Sequence, residues 1–91
     1  MNKIPHKLEK YFWDTPIDTL DPDKHKTYII ERLLDYGDNF AIEWLNNNYS
    51  ENTIKQTVRE SRRISPKTGN YFALIYNLPK KDLRCMKKRF I

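Results

Sequence analysis

The residues able to do covalent or metal chemistry are few and scattered. The histidines are His6 and His25, and the one cysteine is Cys85. Neither histidine has a second His or a Cys at the spacing that closes a metal site. His25 stands near Asp21 and Asp23, but the three read as the exposed first turn of a helix. Lys81, Arg84, Lys87 and Lys88 surround Cys85, the kind of cationic setting that activates thiols. No base stands beside it, so a small residue on a short helix is the plainer reading. The two glycines, Gly37 and Gly69, are too far apart to form a phosphate-cradling loop. The sequence predicts no enzyme, no cofactor and no metal site.

Binding chemistry is better represented. Arg59-Glu60-Ser61-Arg62-Arg63-Ile64-Ser65-Pro66-Lys67-Thr68-Gly69-Asn70 reads as a helix, a short turn and the opening of a second helix. Ser65 caps that second helix and Pro66 pre-sets its first φ, while Ile64 plugs the angle between the two. This is how many helix-turn-helix units read. Lys67, Thr68 and Asn70 would sit at the end of the helix that enters a major groove. Asn70 would pair with an adenine edge, and Arg62, Arg63 and Lys67 would hold phosphates, with Arg59 and Lys80 in support. Two features depart from that pattern. Thr57 or Arg59 stands where the first helix normally offers a small residue, and Gly69 stands where the second usually has an aliphatic one. Close packing of another element against Gly69 is the structural alternative.

A second cluster is Tyr11-Phe12-Trp13-Asp14. Three consecutive aromatics cannot share one helix face. Two are expected in the core; the functional alternative is that Tyr11, Phe12 and Trp13 anchor a partner protein.

The elements that must position these residues follow from punctuation and apolar spacing. Pro5 opens a short helix to Lys10 or Phe12, and Asp14 to Leu20 is a connector. Asp21-Pro22-Asp23 starts a helix that runs to Tyr36, with Tyr28, Ile29, Leu33 and Tyr36 on one face and Ile30 and Leu34 beside them. Gly37 is expected as its left-handed C-terminal residue. Asp38 caps a third helix carrying Phe40, Ala41, Trp44 and Leu45, ended by Asn46-Asn47-Asn48. Ser50 caps a fourth, Glu51 to about Arg62, with Ile54 and Val58 inward. Ser65-Pro66 opens a fifth with Phe72 and Ile75, and Pro79 a sixth with Leu83, Met86 and Phe90 inward. The expected fold is all-α: one domain over residues 1–91, a compact bundle of five or six short helices with a helix-turn-helix-like C-terminal half.

Composition bounds the rest. The chain has 91 residues, of which 38% are apolar and 32% charged. A chain of this size buries only about 60–65% of the surface its unfolded form exposes. Twelve aromatic residues supply the bulk that the thin core needs. One cysteine cannot form an internal disulfide, and no apolar run approaches the length of a membrane span, so a cytoplasmic location is expected. The net charge of +5 is unevenly spread. Residues 1–50 carry six Lys and Arg against nine Asp and Glu, whereas residues 51–91 carry eleven against three. A basic half facing DNA or another polyanion is one reading, and a solvated surface is the other.

The order Phe12-Trp13-Asp14, Leu20-Asp21, Tyr28-Ile29-Ile30-Glu31-Arg32, Tyr36-Gly37-Asp38, Ser61-Arg62-Arg63-Ile64-Ser65-Pro66-Lys67-Thr68, Asn70-Tyr71-Phe72 and Arg84-Cys85 resembles a family of small prokaryotic proteins. Their genes are often found beside nucleotidyltransferase-type toxins of the AbiEii kind. The resemblance spans about residues 11–86. It implies an antitoxin-like or accessory role, with a cognate toxin as partner and DNA-binding autoregulation; because groove readers often dimerise, a homodimer is the accompanying expectation. It supplies no catalytic residues. The chain departs from the family pattern at Gly69, where Ala is expected, and at Phe72, where Trp is as frequent.

Overall fold

A computed structural model describes residues 4–87, with the backbone alone for Lys80, Met86 and Lys87. Every regular element among these residues is helical. Five α-helices follow in order: α1 (Lys26–Tyr36), α2 (Asn39–Asn48), α3 (Glu51–Glu60), α4 (Pro66–Tyr76) and α5 (Arg84–Lys87). Short 3-10 helices cover His6–Tyr11, Ile17–Thr19 and Lys80–Asp82. The all-α bundle expected from the sequence is therefore the observed fold. No helix among the described residues is long and apolar enough to cross a membrane.

The spine of the bundle is α1. Ile29, Ile30, Leu33 and Leu34 are all buried, because residues at i, i+1, i+4 and i+5 form one broad helical stripe. α2 and α3 pack against α1, α4 packs on α3, and α5 packs on both α3 and α4. Leu8, Phe12, Ala41, Trp44, Leu45, Ile54, Val58, Ile64, Phe72 and Leu83 complete the same core.

The caps read from the sequence do their work locally. Asp38 accepts the Ala41 N–H at 3.0 Å, Ser50 accepts the Thr53 N–H at 3.2 Å, and Ser65 accepts the Thr68 N–H at 3.1 Å. Each satisfies one of the N–H groups that a helix start leaves without an internal partner. Asp21 also acts as a cap, accepting the backbone N–H groups of Asp23 and Lys24. Regular helix nevertheless begins only at Lys26, not at Asp21. The preceding turn is shaped by His25, whose Nδ1 accepts the Asp21 N–H at 2.9 Å, and by Tyr49, whose hydroxyl donates to the Pro22 carbonyl at 2.7 Å.

Several local expectations are corrected. Gly37 is not left-handed; its φ is −75° and ψ 160°. Glycine is needed there for space, since a Cβ would lie 2.5 Å from the Leu33 carbonyl oxygen and 2.6 Å from the Ala41 Cβ. The left-handed residue is Asn77, at φ 58° after α4, a conformation asparagine tolerates better than most. The three asparagines end α2 as expected, as its last residues, with the Asn48 amide donating to the Trp44 carbonyl. The connector contains the 3-10 turn Ile17–Thr19, which buries Ile17. Helical spacing groups Tyr36 with Ile29 and Leu33, and Ile75 with Phe72, yet Tyr36 and Ile75 are exposed while the others are buried. Leu83 is buried as expected; the Met86 side chain and Phe90 lie outside the described residues.

Candidate functional site

α3 and α4 meet through the turn at residues 61–65, and α1 holds that turn from the other side. Ser61 donates from its Oγ to the Glu31 carboxylate at 2.7 Å, and the Ser61 Oγ also accepts the N–H groups of Arg63 and Ile64. One turn further along α1, Asp35 accepts both the N–H and the Oγ of Ser65 at 3.2 Å. Glu31 and Asp35 are four apart, so both face the turn from one side of α1. Ile64 is fully buried beneath it, the plug that the sequence suggested.

This anchored turn divides the predicted basic set. Arg62 and Arg63 are exposed and line a polar cleft of about 450 Å³ with Lys26, Glu31, Thr53 and Glu60. Lys67 is exposed on a different cleft, of about 460 Å³, beside Asp35 and Asp38. Thr68 sits at the capped start of α4, and Arg59 is half-buried near the end of α3. The Lys80 side chain lies outside the described residues. Asn70 is half-buried, and its Oδ1 is buried without a hydrogen-bond partner. Gly69 is buried under α5, where an added Cβ would meet the Cys85 Sγ at 2.5 Å. The departure at Gly69 thus has a packing cause.

The aromatic cluster is also divided. Phe12 is a core residue, 2% exposed, which corrects its reading as a partner anchor: its area is already spent on the fold. Tyr11 is half-buried, whereas Trp13 is 65% exposed. Trp13 packs edge-on to Tyr36, with ring centroids 5.2 Å apart, and the Arg32 guanidinium lies 4.5 Å from its ring centre. Arg32 also stacks near Tyr28, pairs with Asp14 at 3.0 Å and donates to the Tyr11 carbonyl. The hydrogen bond from Arg32 holds the Asp14 carboxyl below its ordinary range. These contacts fasten the chain before α1 onto α1, a structural task for the conspicuous aromatics.

The largest exposed apolar side chains outside this cluster lie on α4. Tyr71, Leu74 and Ile75 are 58%, 66% and 52% exposed. They fall at i, i+3 and i+4, hence on one face, while Phe72 and Ala73 enter the core. Beside them a groove runs between α2 and α4, lined by Ile42, Tyr71, Phe72 and Ile75 with Asn39, Glu43 and Asn46. Sequence reasoning missed this face because it groups Ile75 with Phe72 by their spacing of three. The signal for it in the sequence is that α4 is apolar on more than one side, which a helix at the edge of a thin core cannot fully bury.

Among the described residues no three His, Cys, Asp or Glu converge where they could hold a metal ion. No curated protein and no solved structure matches the chain. A family model does match, over residues 8–58, from the first 3-10 helix to the last turn of α3. That match spans more than half of the chain, and the protein belongs to a family of unknown function (DUF6922).

Proposed function

We propose that this protein is a non-enzymatic binding module whose partner is another protein, docked on the solvent face of α4. The observation that carries the reading is the exposure of Tyr71, Leu74 and Ile75 together on one helix face. Single exposed apolar residues need no explanation, but a contiguous cluster of large ones marks a surface that is covered in use. Aromatic side chains at such places supply much of the binding energy. Within α4 the cationic side chain is Lys67, at its start, which is poor equipment for reading a DNA groove.

The resemblance to proteins encoded beside AbiEii-type nucleotidyltransferase toxins makes a cognate toxin the proposed partner and an antitoxin the proposed role. Co-expression with the product of the adjacent gene tests this. A stoichiometric complex should survive size-exclusion chromatography, and Leu74→Asp should dissolve it while leaving the helical circular dichroism of this chain intact. A complex unaffected by Leu74→Asp, or two separate peaks with the native chain, would overturn the reading.

A second reading is favoured by the exposure of Arg62, Arg63 and Lys67 around the α3–α4 turn. In it the turn touches the DNA backbone, with Thr68 at the helix start and Arg59 and Lys80 in support. Binding to the upstream duplex should then weaken when Arg62 and Arg63 are replaced by Ala. The log–log salt dependence should flatten by about 0.9 for each phosphate that is no longer neutralised. Unchanged affinity and slope would remove this reading.

A further inference from the structure

The groove between α2 and α4 has a floor and a rim of different chemistry. Ile42 and Phe72 form the floor, and Tyr71 and Ile75 rise along the α4 side. The groove is continuous, because Asn39, Ile42, Tyr71 and Phe72 line both of its ends. It exists because α2 packs on α1 while α4 packs on α3 and α5, so the two helices flank the bundle without closing on each other. The charged side chains lining the groove among the described residues are Asp35, Asp38, Glu43 and Lys67, and Lys10 lies close enough to Asp38 to act on its carboxyl. Three acids against the two cations Lys67 and Lys10 leave this rim acidic, in a protein whose net charge is +5.

The Asp38 carboxyl stays ionised to below its ordinary range, because it accepts the Ala41 N–H. Glu43 is exposed on α2. With ten and eleven residues, α2 and α4 give the groove a length of about 15 Å, which matches about three turns of a docked helix.

We propose that this groove is the seat of an amphipathic α-helix of the partner protein, one whose apolar stripe is flanked by Lys or Arg. This rests on the reading of the α4 face as a protein-docking surface and specifies what docks there. An extended basic segment would leave the apolar floor poorly filled. An acidic helix would bring like charges together across the rim, which selects against it as a partner. Helix-in-groove recognition combines an apolar stripe at i, i+3, i+4 and i+7 with flanking charges that set orientation.

Two synthetic helical peptides of about fourteen residues test the idea by fluorescence polarisation against the full chain. Both carry Leu at i, i+3, i+4 and i+7; one has Lys on the flanking positions and the other Glu. The Lys-flanked peptide should bind at least about tenfold more tightly at low salt, with the difference shrinking as salt is added. Glu43→Lys, on an exposed residue, should narrow that preference about threefold or more, and Ile75→Asp should abolish binding of both peptides. Equal affinity for the two peptides, or binding indifferent to Ile75→Asp, would overturn the proposal.

The failures are separable. If neither peptide binds while Leu74→Asp still releases a co-expressed partner, the groove is not the helix seat and the protein-docking reading stands. If the Lys-flanked peptide binds through Ile75 and no co-expressed product is held, the groove proposal is supported and the cognate-partner reading fails.

Discussion

α1 and α4 are helices of equal length, eleven residues each, with opposite relations to solvent. The aliphatic side chains of α1 are all buried, and polar ones are committed: Glu31 and Asp35 hold the α3–α4 turn and Arg32 holds Asp14 and the Tyr11 carbonyl. Even its exposed Tyr36 is packed by Trp13. α4 buries Gly69, Phe72 and Ala73 but leaves Tyr71, Leu74 and Ile75 more than half exposed. The difference separates holding from presenting. α1 is where the fold invests its contacts, and α4 is where it leaves apolar surface uncovered, the surface on which the proposed partner would dock.

The largest expected effect lies on the holding side. Leu33 is fully buried, and Leu33→Ala should cost about 2–5 kcal/mol by leaving a cavity in the core. For a domain whose total stability is about 5–15 kcal/mol, that should be plain in urea unfolding. A loss within about 0.5 kcal/mol would remove α1 from the role of spine.

The glycines sharpen the comparison. Gly69→Ala should cost about 1–3 kcal/mol by overpacking, since its Cβ would strike the Cys85 Sγ. Adding Cys85→Ala should recover much of that loss in a double-mutant cycle. Gly37→Ala should be at least as costly and should not be recovered by any side-chain change at Leu33, because its obstacle there is the Leu33 backbone carbonyl. Additive losses at Gly69 and Cys85 would mean that the two do not meet.

Ser65→Ala removes the cap of α4 and the Oγ bond to Asp35 together, leaving only the backbone N–H bond to that carboxylate, for an expected loss of about 1–2 kcal/mol. Thr68→Ala, which keeps the cap, should cost less. The smallest effect is a pH dependence. Burial first, then Asp23 and Asp21, push the Tyr49 hydroxyl up from its ordinary value of 10.0 to about 12. The unfolded chain therefore ionises first. Stability from this group is complete below pH 10 and is lost as pH rises towards about 12. Tyr49→Phe should flatten the alkaline fall in stability over that window, and an identical fall in both proteins would contradict the assignment.

The caps at Asp38, Ser50 and Ser65 are legible in the sequence because each is a local bargain between one side-chain oxygen and the first turn after it. The α1 stripe is legible from spacing. Gly37 misleads because the usual reason for glycine after a helix is a left-handed backbone, whereas here the reason is the close approach of the Leu33 carbonyl and of Ala41, the latter set by the path of α2. Phe12, Trp13 and Tyr36 cannot be sorted by sequence, since neighbouring aromatics differ only in which one the tertiary fold turns inward. The basic residues near the turn are legible as a group, yet Arg62 and Lys67 open onto different clefts, a separation that depends on where α1 crosses behind them. The α4 face stays hidden for a related reason: its apolar residues look like core until the neighbours that fail to cover them are known.

The central claim is that α4 presents what α1 holds, and equilibrium unfolding of the triple variant Tyr71→Gln, Leu74→Gln, Ile75→Gln tests it most directly. Glutamine keeps helix propensity while removing the apolar face. Stability within about 1 kcal/mol of the native chain is the predicted result, as expected of side chains that serve a partner more than the fold. A loss of about 3 kcal/mol or more, comparable to Leu33→Ala, would contradict it and make α4 part of the core like any other helix.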